Sequence, residues 1–222
     1  MAVERKFIED SISRYRLATY LEKELDRAGF SKVDIQRTPM VTRINVEVTK
    51  PGKVIGRKGK TIKDLTEAIQ KNFGVDNPQI SVSEVTNENL EPRLVAKRVV
   101  RSIEMGRNVR RILHFTLKTI MDAGALGAEI TASGKIAAKG ARAKRLRIGA
   151  GYLPKAGEPS RLVRVAHVTA YPKFGAIGVR VKIVPPGTVF PDKEKAKPVE
   201  LPRVIKEAAE EESEEDAAGK SK

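Results

Sequence analysis

Cysteine and tryptophan are absent from this 222-residue chain, and aromatic residues make up only 5% of it. Without cysteine there is no disulfide, no thiol nucleophile and no cysteine-ligated zinc. So few rings exclude a binder that reads bases mainly by stacking them on exposed aromatic platforms. Histidine occurs twice, at His114 and His167, far apart and without metal-ligand spacing, so neither a metal site nor a cofactor is expected. His167 lies in a strand signal and is expected to be packed rather than catalytic. Nucleophile-elbow, metalloprotease and dinucleotide-binding patterns are missing too, which points away from an enzyme. No apolar run is long enough to span a bilayer, and Met1-Ala2-Val3-Glu4-Arg5-Lys6 does not open a signal peptide. A soluble cytoplasmic protein with no membrane partner is the expectation.

What the chain does have is positive charge. Its formal net charge is +15, and the charge is unevenly placed. From Lys206 to Lys222 there are seven carboxylates against three lysines, so the rest of the chain is more basic still. A compact body with such an excess repels itself, and polyphosphate is the natural counter-charge. An anionic membrane surface is the competitor, but no basic amphipathic helix carries bulky lipid-facing aromatics. Nucleic acid is therefore the expected partner.

Hydrophobic periodicity predicts the elements. Ile8, Ile12, Tyr15, Leu21 and Leu25 recur at helical spacing from about residue 7 to 27, with Gly29 as a stop. Val33 and Ile35, then Ile44, Val46 and Val48, alternate as two strands around the turn Thr38-Pro39-Met40. Pro51-Gly52 leads into a short segment, Lys53 to Ile55, and a glycine loop. Ile62, Leu65, Ile69 and Phe73 stripe a helix closed by Gly74, and Asp76-Asn77-Pro78 turns into a strand at Ile80 and Val82. Past Asn87-Glu88-Asn89, two helices are expected around Leu94–Ile103 and Val109–Met121. Strand signals follow at Ala128–Ala132, Leu146–Ile148, Leu162–Ala170 and Ile177–Ile183. Two helices followed by about four strands make a second α+β domain. The expected organisation is an α+β chain with a first domain over 1–87, a second α+β domain over 88–187, and an extended arm with a disordered acidic tail over 188–222.

The strongest motif is Val54-Ile55-Gly56-Arg57-Lys58-Gly59-Lys60-Thr61-Ile62, preceded by Lys53. Two glycines let the main chain approach a sugar-phosphate backbone. The helix expected just after Gly59 points unpaired N–H groups and its positive dipole end at the same place. Arg57, Lys58 and Lys60 add full charges, and aliphatic flanks can anchor a helix on each side. Gly59-Lys60-Thr61 resembles the end of a nucleotide-binding P-loop, but that motif needs a glycine five residues before Gly59, where this chain has Val54. A lone Gly-x-x-Gly is more often a plain helix–helix turn; the flanking aliphatics and strands favour a phosphate clamp here.

Two further basic constellations stand out. Arg107, Arg111, His114 and Lys118 fall on one helical stripe, with Arg110 beside it and no acid within it. A solvated helix face usually mixes signs, so the stripe leans towards a phosphate-tracking surface. In the second, Lys135, Lys139, Arg142, Lys144, Arg145 and Arg147 run without an acid among glycines and alanines. Small residues let such a segment lie against a backbone, and the charges supply affinity without sequence specificity. A mobile basic loop is the plain alternative, and it is compatible with folding on RNA.

The glycine motif resembles the core of a K-homology domain, and the order of elements around it resembles the type II variant. Together with Val109-Arg110-Arg111-Ile112, the run from Gly127 to Lys135 and the run from Gly175 to Ile183, residues 7–186 resemble the protein-three family of the small ribosomal subunit, in its archaeal or eukaryotic-like form. That resemblance implies a non-enzymatic component of the subunit head that binds rRNA and lines the channel through which mRNA enters. It assigns the glycine loop to RNA, Arg110 and Arg111 to a paired contact that helps unwind mRNA, and the second domain to rRNA and neighbouring head proteins. His114 stands where bacterial members have lysine, and an ordinary histidine carries little charge at neutral pH. The rivals are a free K-homology regulator of RNA and, from another class, a lysine-dependent enzyme acting on DNA or RNA. The sequence singles out no lysine for the latter.

Overall fold

The structure is a computed structural model that describes residues 2–38, 41–75, 77–136, 142–173 and 175–190. Pro39 and Met40 of the first turn, Asp76 of the second, Lys139 of the basic segment and the arm and tail from residue 191 lie outside the described residues. Residues 1–188 form one unit.

Strict alternation sets the first sheet. In β2 (Thr42–Val48), Thr42, Ile44, Val46 and Val48 are buried and Arg43 is exposed. β1 (Phe30–Arg37) pairs antiparallel to it, placing Val33 opposite Val46 and Ile35 opposite Ile44. β3 (Pro78–Glu84) pairs parallel on the other side, with Ile80 opposite Ile44. A parallel neighbour needs a crossover. It is supplied by α2 (Pro51–Ile55) and α3 (Lys60–Phe73), which Gly74 closes in the left-handed region at φ 58°. Before these elements runs α1 (Ala2–Glu24). The buried face of β2 meets Leu17, Leu21 and Leu25 on or just past α1, Val54 of α2, and Leu65 and Ile69 of α3. Each such aliphatic side chain contributes about 1.5–3 kcal/mol by leaving water. Tyr20 closes α1 on α3 by packing against Phe73, with ring centroids 5.5 Å apart. The α-β-β-α-α-β order is that of a type II K-homology domain.

Not every apolar residue of α1 reaches this core. Ile8, Ile12 and Tyr15 are exposed, Tyr15 by 73%, because at about 100° per residue they fall on the side of α1 away from Leu17, Leu21 and Leu25. The N-terminal half of α1 still reaches β1, where Asp10 pairs with Arg37 at 2.9 Å.

In the second half of the chain, α4 (Pro92–Glu104) and α5 (Val109–Asp122) cover one face of a four-stranded antiparallel sheet. Its strands β4 (Gly127–Gly134), β5 (Lys144–Gly151), β6 (Arg164–Ala170) and β7 (Ile177–Val184) lie in the order β5-β4-β7-β6. Pro92 presets the first turn of α4. Asn108 caps α5, its side-chain oxygen accepting the Arg110 N–H at 3.1 Å. Val95, Val99 and Ile103 of α4 and Leu113, Leu117 and Ile120 of α5 pack on Ile130, Val179, Val181 and Ile183.

The other side of α4 ties the two sheets together. Arg93, Lys97 and Arg101 sit at i, i+4 and i+8 and face the first domain. Arg93 pairs with Glu22 and stacks over Phe30, 5.1 Å from the ring centre. Lys97 and Arg101 converge on Asp26, Arg101 at 3.5 Å. One residue before α4, Glu91 accepts from Ser31 of β1 at 3.2 Å and from Arg164 of β6. Partial burial pushes the Asp26 carboxyl up, but the hydrogen bond and charge of Lys97, with those of Arg101, outweigh it and hold the group below the ordinary carboxylate range. Asp26→Asn is expected to cost about 1 kcal/mol at neutral pH, since water screens the pair, read as a lower urea midpoint. A carboxylate with a lowered pKa stabilises the fold above its unfolded value and loses that effect as pH falls through the folded one. Variant and parent should therefore converge in acid. Equal midpoints at neutral pH would remove Asp26 from the junction.

Candidate nucleic-acid interface

The glycine loop is shaped by three left-handed residues in four positions. Gly56 adopts φ 71° and ψ −177°, Lys58 φ 54° and ψ 27°, and Gly59 φ 74° and ψ 15°. The first combination is open in practice to glycine alone, and the other two cost a side chain something. The two glycines differ in surroundings. A Cβ on Gly56 would lie 2.1 Å from Thr61 Oγ1, whereas on Gly59 the nearest atom would be Ile62 Cγ2 at 4.0 Å. Gly56 thus lets α2 fold tightly back on α3, and Gly59 leaves open space in front of the loop. No side chain caps the start of α3, so its positive end faces the same side as the exposed Arg57, Lys58 and Lys60.

The aliphatic flanks do not act alike. Val54 is fully buried in the first core and cannot offer its side chain to a ligand, while Ile55 is 43% exposed beside the loop. Within a one-turn helix, adjacent residues point in different directions, so only one of the pair reaches the core.

Two cavities lie along α4. The first, about 390 Å³, lies between Arg27, Lys50 and Lys53 of the first domain and Lys97, Arg98 and Arg101 of α4. The second, about 910 Å³, lies between α4 and α5 and is lined by Asn89, Arg107, Asn108, Arg111 and Phe115 among others. Arg98 and Ser102 line both, so the two adjoin along α4 and together form a groove with Lys53 at one end and Arg111 at the other. The single carboxylate on its wall, Glu88, is held by Arg98 at 3.1 Å. Of the helical stripe, Arg107 and Arg111 reach the groove; Arg110, His114 and Lys118 stand exposed on the flank of α5 outside it. Among the described residues none of the five forms an ion pair.

Sequence reasoning missed Arg98 and Phe115. Arg98 falls within a helix whose apolar residues drew the attention, and Phe115, at 73% exposure, interrupts a basic stripe. An aromatic among charged positions on a helix flank is the signal that was there to find.

The basic segment divides differently. Lys135 is half-buried, and Arg142, Lys144, Arg145 and Arg147 are exposed. It contains no acid, yet Arg147 pairs with the buried Glu129 of β4, two strand positions from its cross-strand partner Thr131. His167, expected to be packed, is instead exposed: alternation in β6 buries Ala166 and Ala170 and turns His167 outward. There it accepts the Arg180 Nε–H at 3.1 Å. Loss of water around the ring, then the charges of Arg180 and Lys182, push its pKa below the ordinary histidine value.

Comparison with known proteins agrees with this architecture. The family model of the KH domain matches residues 16–90, and that of the C-terminal domain of ribosomal protein S3 matches residues 99–183. Small ribosomal subunit protein uS3 of Methanobrevibacter smithii is 42% identical over 191 residues, covering 86% of this chain and 76% of that protein. The uS3 of Methanothrix thermoacetophila is 44% identical over 193 residues, 86% and 69% of the two chains, and that of Methanocorpusculum labreanum is 41% identical over 86% and 83%. The chain belongs to the uS3 family.

The two loop glycines should respond differently to substitution. Gly56→Ala is expected to destabilise the protein by about 1–3 kcal/mol through backbone strain and the clash with Thr61. Gly59→Asp, in a left-handed region that aspartate tolerates, should stay within about 1 kcal/mol of the parent. Urea unfolding of both checks this, and equal losses would contradict the geometry.

Proposed function

We propose that this member of the uS3 family is a structural constituent of the small ribosomal subunit, in the cytoplasm, that binds RNA by non-catalytic phosphate clamping. The single observation that carries this is the groove: one trough lined by arginine and lysine links Lys53, next to the glycine loop, to Arg107 and Arg111 on α5. Its only carboxylate is already neutralised by Arg98. What this surface offers is main-chain N–H groups, a helix dipole and cations, which suit a phosphate chain of any sequence.

In this reading the glycine loop, with Lys53, Ile55, Gly56, Arg57, Lys58, Gly59 and Lys60, takes RNA phosphates at one end. Arg107, Arg110, Arg111, His114 and Lys118 take incoming mRNA at the other. Lys135, Lys139, Arg142, Lys144, Arg145 and Arg147 bind rRNA, and the second domain also meets neighbouring proteins of the subunit head. Residues 1–87 and 88–187 work as the two RNA-binding domains, and 188–222 as arm and tail. The relatives are named as ribosomal proteins, which favours this over a free regulator of RNA. A large basic second domain also favours it, because a regulator that reads short single strands has no use for one.

Replacing Arg110 and Arg111 together by alanine is expected to leave subunit assembly intact and to slow translation through stable mRNA hairpins severalfold. Equal speed on structured and unstructured messages would remove the mRNA role. Gly59→Asp should weaken binding of the chain to single-stranded RNA by roughly tenfold at low salt, since it sets a negative charge against a phosphate. Sedimentation of lysate after a high-salt wash tests the assembly itself. Salt-resistant co-migration with small subunits is the expected result, and a free pool at the top of the gradient would hand the reading to the regulator.

A further inference from the structure

Helices cover one face of the second sheet; the other face stays open. Across the open face, the strand register lines up Arg147, Thr131, Arg180 and His167 in one row. Arg145 flanks that row on one side and Lys182 on the other. Thr131 stands at its middle, only 5% exposed, and its Oγ1 is buried with no hydrogen-bond partner. It lines a cavity of about 420 Å³ together with Arg145, Arg180 and His167. An unpaired buried hydroxyl costs about 1–3 kcal/mol, and here the unpaired group is ringed by cations. Arg180 is steadied by its Nε–H bond to His167, and its terminal nitrogens make no bond among the described residues.

We propose that this open face is a further RNA site, in which Arg145, Arg180 and Lys182 hold backbone phosphates and Thr131 Oγ1 donates to a phosphate oxygen. The proposal rests on the RNA-binding reading above and deepens it. It extends the basic segment of Arg145 and Arg147 onto β4, β6 and β7. Charge complementarity selects the occupant. A protein partner would need an apolar centre with charges at the rim; of the apolar side chains in this phase, Val165 sits on the edge strand β6 and Val184 is buried at the end of β7. Nucleic-acid interfaces are polar and strongly positive. Cations two residues apart on a strand stand about 6.7 Å apart, a spacing that lets neighbouring side chains meet successive phosphates of one strand. The one carboxylate, Glu129, is engaged by Arg147 and does not oppose them.

The test is fluorescence anisotropy of the full chain with a short RNA hairpin over a range of salt. Arg180→Gln combined with Lys182→Gln should bind roughly tenfold more weakly at moderate salt, with a salt slope shallower by about 0.9 for each phosphate no longer neutralised. Thr131→Val keeps every charge and nearly the same shape. It should weaken binding about threefold at an unchanged slope, and it decides the matter if the double variant fails to fold. His167 imidazole resonances should move on addition of the hairpin in the parent. The effect should multiply with that of Gly59→Asp, as for independent sites. If the sheet variants bind like the parent while Gly59→Asp does not, the sheet site is overturned and the glycine-loop reading stands. If every variant binds like the parent, both fall. If the sheet variants lose affinity for polyglutamate and keep it for the hairpin, the face docks an acidic protein and the proposal is overturned.

Discussion

The row of cations on α4 is the constraint on which the rest of the molecule depends. One side of that helix buries Val95, Val99 and Ile103 in the second core; the other sets Arg93, Lys97 and Arg101 against Glu22, Phe30 and Asp26 of the first domain. Half-exposed ion pairs are individually worth about 0–1 kcal/mol, so their contribution is less adhesion than register. Three evenly spaced cations meeting two acids, Glu22 and Asp26, restrict how the helix can turn or slide against the first domain. Glu91 repeats the device from both sides at once, bonding β1 through Ser31 and β6 through Arg164. Because Arg98 and Ser102 lie on the same helix, the groove exists only while that register holds.

Much of the fold is legible in the sequence because its signals are local. Alternation in β2, the Leu65–Ile69 stripe, Gly74 as a stop and Asn108 as a cap are each decided within a few residues. What was not legible is decided at a distance. Ile8, Ile12 and Tyr15 recur at helical spacing, but the side of α1 that meets the sheet is the one set by Leu17, Leu21 and Leu25. Arg93, Lys97 and Arg101 are visible as a row, while Asp26 lies 71 residues before Lys97 and nothing in the spacing joins them. Arg147 read as one more cation in an acid-free run until the pairing of β4 with β5 brought Glu129 beneath it.

The same distinction applies to the candidate site. The glycine loop could be read residue by residue, since left-handed backbone needs glycine wherever it occurs, although the different tasks of Gly56 and Gly59 depend on where Thr61 comes to rest. His167 was misjudged because a strand signal does not say which face a residue takes. The phase of β6 answers that, with Ala166 and Ala170 inward and His167 outward. In β7 the alternation of Arg180 and Lys182 with Val179, Val181 and Ile183 already carried the open face, but only the sheet order placed it beside Arg145 and Thr131.

The two proposed RNA surfaces differ in mechanical character, and the difference bears on what each can hold. The groove is walled by long side chains on helix flanks and by a loop with strained backbone, around open space in front of Gly59. Arg107 and Arg111, which form no ion pair among the described residues, can readjust as phosphates pass, and this favours a strand that must keep moving. On the sheet face the backbone is hydrogen-bonded on both sides of β4 and β7, Arg180 is steadied by His167, and Thr131 is enclosed. A rigid array loses little entropy on binding and gives back little freedom on release, which suits a partner that stays. A basic chain of this kind needs both properties if one RNA is to be its support and another its traffic.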